Sequence, residues 1–134
     1  MTLTATRTAI AATLATALLA GCASLAPATP EAAVQERATA RWQALIKGDY
    51  ERAYKLSTPS YRAKSNLARY RGQFGSAVSW EGISVPSVKC EVEKCVATVL
   101  IKAKPVSRAR QIGTLETAVE EVWVQEDGQW WFSP

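Results

Sequence analysis

Residues 123–132 read Trp-Val-Gln-Glu-Asp-Gly-Gln-Trp-Trp-Phe, and this stretch determines the fold. An Asp-Gly pair between runs of strand-forming residues predicts a β-hairpin with a two-residue turn. That turn would pair Val124 with Trp131 and Trp123 with Phe132, so that both faces of the hairpin carry large apolar side chains. A sheet with one face in water alternates more cleanly. We therefore expect helices to cover one face, and a partner chain or a long loop to cover the other.

The sequence before this hairpin predicts further strands. Residues 95–104 alternate so that Cys95, Ala97, Val99 and Ile101 share one face. Residues 83–90 are β-branched and alternating, and Pro86 indicates a bulge or an edge strand there. Residues 115–126 predict the strand that enters the hairpin. The loop between the second and third strands contains Arg108 and Arg110, which we interpret as solvated.

Helices precede the strands. Threonine followed by proline is a helix-start signal, and it occurs at Thr29-Pro30 and again at Thr58-Pro59. Gly48 is expected to end the first helix and Asp49 to cap the second, while Ser65 or Asn66 caps a last short helix. The apolar stripe of the first helix is formed by Val34, Ala38, Trp42, Leu45 and Ile46. Its basic residues lie off that stripe and predict a solvated face: Arg37, Arg41 and Lys47.

The segment before the domain resembles the signal of bacterial lipoproteins. Arg7 precedes an uncharged apolar run that closes with Leu19-Ala20-Gly21-Cys22, a sequence that resembles a lipobox. The resemblance implies a signal peptide over residues 1–21, lipidation of Cys22, a tether over residues 22–30 and one domain over residues 31–134. A membrane partner through the lipid, and a periplasm-facing location, follow from it. Ala23 in place of aspartate favours the outer membrane over the inner membrane.

Cys90 and Cys95 flank four residues that predict a tight turn. Residues opposed across an antiparallel hairpin are close enough for a disulfide, and the periplasm is oxidising. We therefore predict a Cys90–Cys95 disulfide. A redox-active or metal-binding pair is the weaker alternative, because redox pairs usually have a two-residue spacing.

The order of helices followed by an antiparallel sheet predicts an α+β fold. Three segments, 40–45, 48–54 and 57–62, together with the closing Gly128-Gln129-Trp130-Trp131, resemble the nuclear-transport-factor-like superfamily, which includes ketosteroid isomerase. The resemblance implies N-terminal helices packed on a curved antiparallel sheet that forms a cone. A small barrel with an N-terminal helical hairpin is the alternative fold.

Histidine is absent from the chain, which removes the commonest general base and metal ligand. The chain has 16 basic and 12 acidic residues, an excess too small to argue for nucleic acid. We predict no catalytic residue, cofactor or metal. Enzymes of the superfamily use carboxylates, tyrosines or histidines of the pocket, so a catalytic site here would combine Glu120 or Glu121 with a tyrosine. The possible pocket residues lie on the second helix, the last helix and the third strand: Tyr50, Tyr54, Tyr70, Glu120, Glu121 and Trp123. We expect the two glutamates to occupy exposed or edge positions.

Three functions remain open at this stage. The favoured one is a non-catalytic envelope module that binds a protein partner or forms a homodimer through its sheet. The second is binding of a small apolar ligand in the cone pocket. The third, an isomerase-like or dehydratase-like enzyme, would need a buried glutamate in a deep pocket.

Overall fold

The computed structural model describes residues 29–75, 78–106 and 113–134. The predicted signal peptide, the predicted lipidation site at Cys22 and most of the predicted tether lie outside these residues, as do Arg108 and Arg110. Among the described residues, no helix combines the length and the apolar character needed to cross a bilayer.

Four helices come first, and each begins at a capping residue. Thr29 caps α1, and its Oγ1 accepts a hydrogen bond from the Ala32 amide at 3.1 Å. Asp49, Thr58 and Asn66 cap the next three helices in the same way, as predicted from the sequence. The helices are α1 (Pro30–Ile46), α2 (Tyr50–Lys55), α3 (Pro59–Lys64) and α4 (Leu67–Gly72).

The strands form one antiparallel sheet in the order β1-β2-β3-β4. They are β1 (Val78–Glu91), β2 (Lys94–Pro105), β3 (Leu115–Glu126) and β4 (Gln129–Ser133). Val124 pairs with Trp131 and Trp123 pairs with Phe132, which confirms the predicted register of the last hairpin. At its turn Asp127 and Gly128 have φ angles of 51° and 73°, the positive values that an Asp-Gly turn supplies.

The first strand is longer than the sequence predicted. It begins at Val78 instead of Ile83, because the segment around Trp80 continues the pairing with β2. The register shifts between Ser84 and Ser87, so Pro86 lies in a bulge on an edge strand, as predicted. A proline is tolerated there because no neighbouring strand needs its missing amide hydrogen.

Helix α1 lies across the inner face of the sheet and packs against β1, β2 and β4. Its buried residues follow helical spacing from Val34 to Leu45. Cys95, Ala97, Val99 and Ile101 face it from β2, which confirms the predicted face. The expectation of a fully solvated basic face on α1 is wrong. Arg41 falls on the buried stripe and only 4% of its surface is exposed.

The connector between α2 and α3 lies along the outer edge of β4. The Phe132 amide donates to the Leu56 carbonyl at 2.8 Å, and the Thr58 amide donates to the Phe132 carbonyl at 2.9 Å. Ser57 forms a short parallel bridge with Phe132. These bonds satisfy part of an edge strand that would otherwise present free backbone groups. The architecture is thus α+β, with short helices against a four-stranded antiparallel sheet.

Candidate functional site

The most unusual group in the interior is a buried ion pair between α1 and β3. Nη1 of Arg41 is ion-paired with Oε1 of Glu121, and each side chain is about 5% exposed. The indole Nε1 of Trp42 donates to the same carboxylate oxygen at 2.8 Å. Two adjacent residues of α1 therefore hold one carboxylate of the sheet.

The sheet also shields this pair from water. The guanidinium of Arg41 lies 3.7 Å from the centroid of the Phe132 ring on β4, a cation–π contact. Burial raises the pKa of Glu121, because the loss of water around the carboxylate outweighs the attraction of Arg41. Burial likewise raises the pKa of Tyr70, whose ring packs in the same interior. The interior is therefore a low-polarity environment that contains fixed charges.

Several other polar atoms are buried with the ion pair. Among the described residues, five such atoms of fully buried side chains have no hydrogen-bond partner: Arg41 Nε, Ser57 Oγ, Tyr70 OH, Glu121 Oε2 and Trp123 Nε1. Buried polar groups are normally hydrogen-bonded, and each unsatisfied one lowers the stability of the folded state. The ion pair and these unpaired polar atoms are thus buried in a largely apolar interior.

Aromatic rings fill the space between the helices and the sheet. Trp42 meets Trp80 edge to face at 5.6 Å, Trp80 meets Phe74 at 5.7 Å, and Phe74 meets Tyr70 at 5.1 Å between ring centroids. Two clefts open beside this chain of rings. One of about 340 Å³ is lined by residues that include Leu45, Tyr50, Phe74 and Trp80. The other, of about 660 Å³, lies between α2 and α4. Glu121 lines neither cleft.

The structure separates the six predicted pocket residues. Tyr70, Glu121 and Trp123 lie in the interior. Tyr50 lines both clefts. Tyr54 has a structural role, since its hydroxyl donates to the carbonyl groups of Ser65 and Arg62 at 2.7 and 3.1 Å. Glu120 is exposed on the opposite face of the sheet, as expected.

The expectation for Glu121 is wrong, because it alternates with Glu120 and therefore points inward. Its partners Arg41 and Trp42 were not among the candidates. A signal for Arg41 exists in the sequence. It lies seven residues after Val34 and four before Leu45, the spacing of a buried stripe. An arginine at such a position needs an acidic partner, and Glu121 has Val119 and Trp123 two positions away on either side, on the same face of its strand.

Cys90 and Cys95 are directly opposite in the register of β1 and β2. Their Cα atoms are 4.0 Å apart and their sulfur atoms are 2.00 Å apart, so the pair is compatible with a disulfide. Cys95 is buried in the core, whereas Cys90 is partly exposed. The pair joins the two ends of the turn that connects β1 to β2.

The outer face of the sheet, on the side away from α1, has an apolar centre. Val96 and Leu100 of β2 and Val122 and Val124 of β3 lie there, all partly exposed, and we call them the outer strip. Charged residues lie around and within the strip. The side of β1 and β2 carries Lys89, Lys94, Lys102 and Lys104, together with Glu91, which is opposite Lys94. Strand β3 carries Glu116, Glu120 and Glu126, and Glu120 interrupts the strip opposite Thr98. No element among the described ranges packs over this strip.

No family model matches the sequence, and no curated protein is significantly similar to it. Among solved structures, the chain is similar to the solution structure of a SEC-C motif containing protein from Rhodopseudomonas palustris. The TM-score is 0.58 at 13% identity, over 79% of this chain and 76% of that protein. At this identity the similarity concerns the fold alone.

Proposed function

We propose that the protein is a lipid-anchored, non-catalytic envelope module that self-associates through the outer strip of its sheet. We further propose that the domain is a cone of the nuclear-transport-factor-like type. The order of its helices and strands and the inward-facing aromatic residues support this assignment. The observation that carries the function is the outer strip, a partly apolar surface whose charged neighbours are mainly lysines on the side of β1 and β2 and glutamates on β3.

The charge arrangement favours a second copy as the partner. A twofold axis that runs parallel to the strands, between β2 and β3, brings the outer strips of two copies together. It also places the lysine side of one copy opposite the glutamate side of the other. A twofold interface must be complementary to itself, and this face has that property. Like charges directly opposite would instead oppose association.

The interior does not favour an enzyme. The carboxylate of Glu121 is held by Arg41 and Trp42, and neither cleft beside the aromatic rings reaches it. A general base must lie within hydrogen-bonding reach of a proton on its substrate. The buried glutamate is therefore best explained as part of the structural interior.

The oligomeric state of residues 23–134, which include every described element, tests this proposal. We expect light scattering to show a concentration-dependent dimer, and Val122→Lys or Leu100→Lys to shift it to monomer. Val92→Lys is the matched control, because Val92 is 91% exposed at the β1–β2 turn, away from the strip. A chain that stays monomeric at high concentration would overturn self-association. Loss of a cellular crosslink on Val122→Lys would then identify a protein partner of the same face.

Charge exchange tests the proposed twofold arrangement. Lys102 and Glu116 are neighbours on the outer face, 3.9 Å apart. Glu116→Lys should weaken the dimer and addition of Lys102→Glu should restore it, since the exchange preserves opposite signs across the axis. Unchanged association in the single variant would contradict this orientation.

The anchor is tested separately in cells. We expect a fatty-acid label to be incorporated into the wild type and not into Cys22→Ser, which should leave the membrane fraction. Incorporation into the serine variant would contradict lipidation at Cys22.

One observation favours a second candidate function, the binding of a small apolar ligand. The cleft between α2 and α4, lined in part by Tyr50 and Leu67, has a mainly apolar surface and a volume of about 660 Å³, within the usual range of ligand pockets. An aromatic fluorescent probe should bind there and be lost on Tyr50→Ala. Equal binding to Tyr50→Ala and wild type would exclude this cleft.

A further inference from the structure

Two arginines from different helices converge on one tryptophan of the edge strand. The guanidinium carbon of Arg37 on α1 lies 5.2 Å from the centroid of the Trp131 ring, and that of Arg62 on α3 lies 5.3 Å from it. We call these three residues the Arg–Trp cluster. It lies where α1, α3 and β4 meet, on the opposite side of the sheet from the β1 edge.

Two members of the cluster, Arg62 and Trp131, are held in place by hydrogen bonds to the backbone. The Nε of Arg62 donates to the Ser57 carbonyl at 3.1 Å. The indole Nε1 of Trp131 donates to the Glu126 carbonyl at 3.3 Å. Ser57 itself is fixed by its bridge to β4. The terminal nitrogens of Arg62 are therefore presented by a side chain whose position is already fixed.

The positive charge of the cluster is not balanced locally. Among the described residues, no carboxylate lies within 4.0 Å of either guanidinium. The Nε of Arg37 is buried and has no hydrogen-bond partner among those residues. Burial lowers the pKa of Arg37, with a smaller opposing effect from Glu36. Two cations on one ring repel each other, and a bound anion would remove that cost.

We infer that Arg37 and Arg62, positioned by Trp131, bind a phosphate group. Guanidinium groups present parallel N–H donors that match the oxygens of a phosphate. A phosphodiester headgroup carries one negative charge and free phosphate up to two, and both offer at least two acceptor oxygens that two guanidinium groups can share. The site goes beyond the proposed function: the cluster lies at the β4 edge, where Trp131 is paired with Val124 of the outer strip.

The phosphate has two chemical sources, a phospholipid headgroup or a free phosphate. Arg37 lies seven residues after Pro30, about 10 Å along the helix from its start. If the chain is anchored at Cys22, this end of the domain is the part nearest the bilayer. A phospholipid headgroup is then within reach of the cluster. Binding of a free phosphate does not require the anchor.

Binding to residues 23–134, without the lipid, separates these sources. Inorganic phosphate is titrated at constant ionic strength against chloride, with tryptophan fluorescence and amide chemical shifts as readouts. Co-sedimentation is measured with phosphatidylglycerol vesicles and with phosphatidylcholine vesicles. Saturable shifts at Arg37, Arg62 and Trp131 with inorganic phosphate support a free phosphate. Sedimentation with phosphatidylglycerol vesicles that is not reduced by added inorganic phosphate supports a phospholipid headgroup.

Comparing variants of the cluster with a matched control shows whether the observed binding occurs at the cluster. Arg37→Gln and Arg62→Gln should each weaken binding by about tenfold, because each removes a charged hydrogen-bond donor. Lys47→Gln makes the same change in net charge at an exposed position beyond the end of α1, about 15 Å along the helix from Arg37, and should retain wild-type affinity. Trp131→Phe should bind more tightly than Trp131→Ala, since it keeps an aromatic plane under the guanidinium groups. No binding in either assay, or equal loss in Lys47→Gln, would overturn the inference.

Discussion

Arg41 and Glu121 form an ion pair inside the protein although 80 residues separate them in the chain. The pair joins the first helix to the third strand. Two charges in an apolar interior stabilise a fold only if each satisfies the other, because both have lost their water. The pair therefore fixes how α1 sits on the sheet, and its disruption is the sharpest test of the interior.

Arg41→Met should lower the free energy of unfolding by about 3–5 kcal/mol at neutral pH, since Glu121 then loses its partner and must be buried either as an unpaired charge or in its protonated form. Urea denaturation measures this loss. Addition of Glu121→Met should recover part of it, because the second charge is then also removed. Arg52→Met, at an exposed position on α2, is the control. A double variant no more stable than Arg41→Met would contradict this account.

Glu121 should also give stability an unusual pH dependence. Its pKa is raised in the folded state, so above its unfolded pKa of about 4.3 the folded protein binds more protons than the unfolded chain. This contribution to stability is therefore present at low pH and is lost as pH rises through the raised pKa. The glutamine of Glu121→Gln cannot ionise, so this variant should lack the pH-dependent contribution to stability.

Urea denaturation of wild type and Glu121→Gln across this range gives the comparison. The stability of the wild type relative to the variant should fall as pH rises. The other carboxylates are common to both proteins, so their titration cancels in the difference. A relative stability that increases with pH would mean that Arg41 lowers the pKa of Glu121 more than burial raises it.

The elements of the fold were predictable because their signals are local. Thr29-Pro30 fixes the start of α1, Asp49 caps α2, and Asp127-Gly128 fixes the last register. The arrangement of the interior was not predictable, because it depends on contacts between residues that are distant in the sequence. Glu120 and Glu121 are chemically identical neighbours, and only the orientation of the sheet relative to α1 decides which one is buried.

The basic residues of α1 show the same limit. Their charge predicted a solvated face, yet Arg41 pairs with Glu121 and Arg37 stacks on Trp131. Long side chains on a helix reach past their own face to groups on neighbouring elements. Neither partner can be identified before the sheet is placed. The Arg–Trp cluster is therefore a property of the fold and not of any one segment.

Reduction of the Cys90–Cys95 pair should lower the free energy of unfolding by about 2 kcal/mol, because so short a loop restricts the unfolded chain only modestly. Denaturation with and without reductant measures the change. Cys90→Ser is the control, since it cannot form the bond and should not respond to reductant. Free thiols on the unreduced, unfolded chain would show that the bond does not form.

Gly128→Ala should destabilise the last hairpin. Gly128 has a φ of 73° with nothing within 4 Å of the added Cβ, so the cost is conformational and amounts to about 1–2 kcal/mol. Gly82→Ala is the control, because Gly82 is also open but has no positive φ. Denaturation should show a loss only for Gly128→Ala. Equal losses of stability in both variants would mean that strand packing, and not the turn, sets the cost. No loss of stability in Gly128→Ala would contradict the Asp-Gly turn as the determinant of the register. That register is what places Phe132 beneath Arg41.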